Sequence, residues 1–172
     1  DLKSIVLDLR DNPGGLLNEA INMANIFIDR GQEIVYTKGK IKDWDKSYKA
    51  RFEAIDTSIP LVVLINRSSA SASEIVSGAI QDLDRGVVIG QRSFGKGLVQ
   101  QTRKLSYNAQ MKVTTAKYYI PSGRCIQALD YSNRDEDGSV GKIADSLRTE
   151  FKTLVNARSV FDGGGITPDI TI

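Results

Sequence analysis

At 172 residues, with 41% hydrophobic and 26% charged residues, the chain has the size and composition of one globular domain with a real core. Its net charge of +2 is too small to imply nucleic acid or an anionic membrane as a partner, and no apolar run reaches the about 18 to 20 residues of a bilayer span. Cys125 is the single cysteine and histidine is absent, which excludes an intrachain disulfide, a CxxC metal knuckle, histidine-held zinc and any Ser-His-Asp or Cys-His device. A nucleophilic serine in this chain would need another base, and lysine is the usual substitute.

The sequence opens on a finished strand and turn, "SIVLDL" followed by "RDNPGG", as expected of a piece of a longer protein. Residues 16 to 30 carry Leu16, Leu17, Ala20, Ile21, Ala24 and Ile28 at helical spacing, with Gly31 as the stop. "EIVYTKG" predicts a strand. The stretch 40 to 55 is charged, with Trp44, Tyr48 and Phe52 four residues apart, and reads as a peripheral helix or a loop. After Pro60, "LVVLIN" predicts a strand buried on both faces. The serine cluster "RSSASASEI" follows directly, and from Ala72 to Leu83 the apolar residues return with helical period. "GVVIG" predicts another buried strand, "RSFGKGLVQQ" a glycine-punctuated turn, and "KVTTAKYYI" an alternating strand. Residues 129 to 158 are polar and turn-rich, then weakly amphipathic over "IADSLRTEFKTLV", which predicts an inserted segment ending in a helix. "FDGGGITPDITI" returns to turn and strand. Strands alternating with helices predict an α/β fold.

Ser71 has two readings. With Glu74 three residues on, it matches a capping box at a helix start. The same position, between a buried strand and a helix, is where open α/β sheets present ligands, and free helix-start amides there favour an oxyanion. The choice turns on a base. Lys96, between two glycines and flanked by Phe94, Leu98 and Val99, is the candidate, because an apolar setting lowers a lysine's pKa. Gln100 would orient it across a local turn; fully extended, the two would lie ~13 Å apart. The glycine amides of "DNPGG" and the amide of Ala72 would supply an oxyanion hole, against the plainer reading of a strand-to-helix turn.

"LDLRDNPGGLLNEA", "NRSSASASEIVSGAIQD", "VIGQRSFGKGLVQQ", "YYIPSGRCIQ" and "GGGITPDI" together resemble the carboxyl-terminal processing, or tail-specific, proteases across the whole chain. The resemblance implies a crotonase- or Clp-protease-like β/β/α spiral core of α/β class over residues 1 to 172, with an insertion at about 129 to 158. It implies a serine endopeptidase in which Ser71 is the nucleophile, Lys96 the base and Gln100 its support, with oxyanion donors from Ala72 and Gly14 or Gly15, and Asp82 as a supporting acid. No metal or organic cofactor is expected. The partner is the carboxyl-terminal tail of a polypeptide, not nucleic acid; a PDZ domain in the full-length chain and a bacterial envelope or periplasmic location are implied, and a homo-oligomer is left open. Two competing readings are a core that holds tails without cutting them and a crotonase-type acyl-thioester enzyme, for which no nucleotide-phosphate pocket is visible.

Overall fold

A computed structural model describes residues 2–132, 134 and 136–172; Asn133 and Asp135, from the polar stretch of the expected insertion, lie outside the described residues. In chain order the elements are β1 (Ile5–Asp8), α1 (Leu17–Asn25), β2 (Glu33–Gly39), β3 (Lys46–Lys49), β4 (Leu61–Ile65), α2 (Ala72–Asp82), β5 (Val87–Gly90), β6 (Leu98–Lys104), β7 (Gln110–Tyr119), β8 (Glu150–Lys152), β9 (Ser159–Phe161) and β10 (Ile170–Thr171). They make a parallel sheet ordered β1-β4-β5-β10, an antiparallel sheet ordered β3-β2-β7-β6, and the β8-β9 hairpin. The α/β class expected from the alternation of elements is the one found.

The apolar run of β4 places it at an interior position of the parallel sheet, with Leu61, Val63 and Ile65 buried. Each such side chain contributes roughly 1.5–3 kcal/mol by leaving water. Helix α2 departs from the one-faced periodicity of its sequence: every residue from Ser73 to Asp82 is buried. Small residues (Ser73, Ser77, Gly78, Ala79) let it pass close to its neighbours, while Ile75, Val76 and Ile80 pack into the same core as Val63, Val88 and Ile34. Burying a helix on all sides also buries its polar residues, which therefore have partners. Asp82, the expected supporting acid, accepts Arg124 Nη2 at 2.8 Å and the Ser122 amide at 2.9 Å, and Arg124 gives a further bond to Gln81 at 2.7 Å. Asp82 and Arg124 are both completely buried and form an ion pair remote from solvent.

Three local expectations are corrected. Over 40 to 55 there is no regular helix; a short 3-10 turn at Lys42–Trp44 leads into β3, because the edge of β2 takes an antiparallel partner there. The helix expected over 143 to 155 is replaced by a 3-10 turn at Asp145–Leu147 and by β8, which pairs with β9. That hairpin is pinned to the end of α2: Asp84 accepts the amides of Val155 and Asn156 and the Arg158 Nε, and Arg158 also reaches Asp169. Finally, the glycine turn ends at Gly97 and β6 begins at Leu98, drawn out by its pairing with β7 from Leu98↔Lys117 to Lys104↔Gln110.

Candidate active site

Because β1, β4 and β5 are adjacent and parallel, the loops leaving their carboxyl ends meet on one rim of the sheet, the place where such sheets present ligands. These loops carry, in order, Asn12 to Gly15, Ser68 to Ser71, and Arg92 to Gly97.

Ser71 stands at the amino end of α2 with φ 55° and ψ −113°. A non-glycine residue held there costs on the order of 1–3 kcal/mol, and such strain collects at functional sites. Its neighbours do the structural work. Ser69 is buried and its hydroxyl donates to the Leu9 carbonyl at 2.7 Å. Ser73 donates to the Asn12 carbonyl at 3.0 Å, and the Ala70 amide donates to the same oxygen at 3.0 Å. Both halves of the capping box are in place: the Ser71 side chain faces the Glu74 amide, and the Glu74 carboxylate takes the Ser71 amide at 2.8 Å. The Glu74 amide is held by the Ser71 carbonyl at 2.9 Å, and the serine hydroxyl makes no cap hydrogen bond.

The glycines of the first loop touch this serine. A Cβ on Gly14 would lie 2.5 Å from the Ala70 carbonyl, 2.7 Å from the Ala72 nitrogen and 2.9 Å from the Ser71 Cβ, and its φ of +93° is one that side chains resist. The Gly14 amide is occupied, donating to the Asn12 Oδ1 at 2.9 Å. Among the described residues, the amides of Gly15 and Ala72 donate to no protein acceptor. Of the glycine donors expected, Gly15 is therefore the one with a proton to give.

Glu74 organises the site, a role that sequence spacing alone did not disclose. Its side chain is fully buried. Oε1 accepts the Ser93 hydroxyl at 2.5 Å and the Gly95 amide at 2.7 Å; Oε2 accepts the Ser71 amide and the Lys96 amide, each at 2.8 Å. One carboxylate oxygen thus holds the backbone of both the candidate nucleophile and the candidate base. Burial pushes the Glu74 carboxyl above its ordinary range, opposed by these four hydrogen bonds. The glycine-rich turn near residue 165 closes the far side. Gly165 has φ +74°, and a Cβ there would lie 2.9 Å from Glu74 Oε1 and 2.6 Å from Ser93 Oγ, while the Ile166 amide donates to that Oγ at 2.7 Å.

Lys96 and Gln100 are placed differently from expectation. The Lys96 side chain is exposed, as is Phe94, so the apolar setting inferred from its sequence neighbours is not present around it. No hydrogen bond joins its amine to Ser71 among the described residues; what ties the two is the shared Glu74 oxygen. Gln100 lies in extended β6 and its amide reaches Thr114 Oγ1 at 3.4 Å, so the local turn that would bring it to Lys96 is absent, consumed by strand pairing. Beside Gly15 and Ala72 opens a cavity of about 150 Å³ walled by Leu9, Leu16, Ala20, Met23 and Val76.

Comparison with known proteins adds an independent line. The sequence model of peptidase family S41 matches residues 1–132. The chain is 48% identical to a carboxy-terminal-processing protease of Bartonella bacilliformis over 128 residues, covering 74% of this chain and 29% of that protein. It is likewise 48% identical to a probable CtpA-like serine protease of Staphylococcus aureus over 127 residues, 73% of this chain and 25% of that one. The chain thus spans between a quarter and three tenths of the length of these relatives. Among solved structures, a photosystem II D1 C-terminal processing protease superposes with a TM-score of 0.72 at 31% identity, over 99% of this chain and 35% of that one. A putative S41 protease of Bacteroides fragilis shares the fold, with a TM-score of 0.65 at 14% identity, over 99% and 38%.

Proposed function

The chain belongs to peptidase family S41, and from that premise we propose that it is the catalytic core of a serine endopeptidase that cuts polypeptides near their carboxyl termini with a Ser71/Lys96 dyad. The observation that carries this reading is the strained Ser71, joined through one Glu74 oxygen to the backbone of Lys96 in a chain that has no histidine. In the proposed reaction a substrate covers the rim and excludes water from around the Ser71 and Lys96 side chains. The amine takes the Ser71 proton as Oγ attacks the scissile carbonyl carbon. The oxyanion is received by the amides of Ala72 and Gly15. The C–N bond breaks as Lys96 returns the proton to the leaving amine, leaving an acyl-enzyme ester. A water then gives its proton to Lys96 and attacks the ester carbonyl; the ester C–O bond breaks as Lys96 returns that proton to Ser71 Oγ, which releases the new carboxyl end and restores both residues.

The supporting parts follow the same logic. Gln100 acts on the dyad through the β6 backbone, and Asp82 through the α2 core. The tail of the substrate is the partner, and a PDZ domain elsewhere in the full-length protein, a homo-oligomeric assembly and an envelope or periplasmic location complete the proposal. In the full-length enzyme, Ser71→Ala and Lys96→Ala are expected to abolish cleavage of a tail peptide while leaving the circular dichroism spectrum unchanged. Wild-type turnover by Lys96→Ala would defeat the dyad, and cell fractionation tests the location. A core that binds tails without cutting would show intact bound peptide by mass spectrometry.

A further inference from the structure

The antiparallel sheet carries an arrangement that the proposed chemistry leaves unused. Lys38 of β2 and Lys117 of β7 are directly opposite each other in register, and like charges so placed work against strand pairing. Neither is relieved by a carboxylate among the described residues. Among the described residues no ion pair involves Lys38, Lys40 or Lys117. The Lys38 ammonium instead rests 4.9 Å from the centre of the Tyr36 ring and 5.5 Å from that of Tyr119, two rings stacked at 5.3 Å. These lysines line a groove of about 790 Å³, whose described walls include no aspartate or glutamate and whose apolar surface comes in part from Leu98 and Tyr119. A protein with a net charge of only +2 has here set unpaired cations side by side, at a cost in stability, around a concavity of the size that holds ligands.

The groove adjoins the Lys96 loop. Leu98 and Gln100 on its wall continue the chain from Lys96, and Gln127, also on its wall, accepts the Gly97 amide at 2.8 Å. From this charge complementarity and this position, we infer that the groove between β2, β7 and β6 seats an acidic segment of the substrate polypeptide, with carboxylates against Lys38 and Lys117 and apolar side chains against Leu98 and Tyr119. The inference rests on the peptidase reading, since it names the class of chain that the site would accept.

The test uses the full-length enzyme carrying Ser71→Ala, so that binding is read without turnover, and fluorescein-labelled ten-residue peptides bearing either alternating glutamates or glutamines at the same positions. Anisotropy is expected to give roughly fivefold to tenfold tighter binding of the glutamate peptide at low salt, a difference that shrinks as salt screens it. Lys38→Gln/Lys117→Gln should bring the preference below about twofold, with the melting temperature little changed, because relief of the like-charge pair offsets loss of the Lys38 contacts with the Tyr36 and Tyr119 rings. Equal affinities for the two peptides would overturn the inference. So would a preference that survives the double substitution, or a single-stranded oligonucleotide that displaces the peptide at lower concentration than unlabelled peptide does, which would assign the groove to nucleic acid. The two readings fail separately. Unsubstituted enzyme that binds the glutamate peptide but cuts no tail refutes the peptidase and keeps the groove; enzyme that cuts tails with no charge preference does the reverse.

Discussion

Replacing Glu74 interrogates the site at its centre. The carboxylate receives four hydrogen bonds, three from amides that cannot reverse direction (Ser71, Gly95, Lys96) and one from a hydroxyl, Ser93, that can. In Glu74→Gln the best orientation keeps the amide oxygen on the Ser71/Lys96 side, gives an N–H to Ser93 and orphans the buried Gly95 amide. One orphaned buried donor costs roughly 1–3 kcal/mol, which for a domain of this size lowers the melting temperature by about 2–12 °C. Glu74→Ala removes all four acceptor contacts and leaves both Ser93 and Gly95 buried without this partner, a cost of roughly 2–6 kcal/mol before the cavity is counted. Thermal denaturation followed by circular dichroism should rank the chains wild type, Gln, Ala. Amide exchange should show loss of protection concentrated at 71–75 and 93–97. The pH dependence has a definite sign: with the folded pKa raised, the native state holds the proton more tightly than the unfolded chain. The Glu74 contribution is then greatest below the unfolded value of ~4.3 and falls as pH rises through the folded value. The stability gap between wild type and the glutamine variant should be wider at pH 4.5 than at pH 8. A Glu74→Ala chain that melts within 2 °C of wild type, with its exchange pattern intact, would refute the assignment of Glu74 as the organiser of the rim.

Ser71→Gly should relieve the left-handed strain and raise the melting temperature by about 2–4 °C for about 1 kcal/mol recovered, while ending catalysis; a lower melting temperature would show that the serine is not strained. Gly14→Ala should push the first loop off Ser71, because its Cβ would sit 2.5 Å from the Ala70 carbonyl and both are backbone-anchored. Destabilisation of about 1–3 kcal/mol, measured by urea titration, and a fall in kcat exceeding any change in KM are expected. Arg124→Ala leaves Asp82 buried without its cation and should cost roughly 3–5 kcal/mol, read in the same titration.

The parts legible in the sequence were those decided locally. "LVVLIN" and "GVVIG" are apolar throughout and short, so they could only be interior strands, and the serine junction after the first of them located the rim. The segment 143 to 155 was not legible. Ile143, Leu147, Phe151 and Leu154 satisfy a helical period, yet the pairing of Phe151 with Val160 and the anchoring of the turn by Asp84 outweigh that weak preference. Gln100 failed for the same reason, since β7 draws residues 98 to 104 straight. Lys96 was given apolar surroundings from its neighbours in sequence, but Phe94 points largely to solvent, 56% exposed, and brings no shelter. Glu74 was visible only as half of a cap; that its carboxylate also accepts amides 21 and 22 residues further on is a long-range fact no local pattern contains.

The closing contact at Ser93 has a consequence for how this molecule is made. Its hydroxyl, which bonds Glu74, is itself held by the amide of Ile166, a residue 73 positions later in the chain. During synthesis the serine, the lysine loop and their carboxylate all leave the ribosome well before Gly165 and Ile166 arrive to wall them in. The hydrogen bond that closes the rim at Ser93 needs that late segment in place. If the proposed peptidase reading holds, a chain ending before Ile166 would carry Ser71, Glu74 and Lys96 without the amide that fixes Ser93, and so without a completed rim.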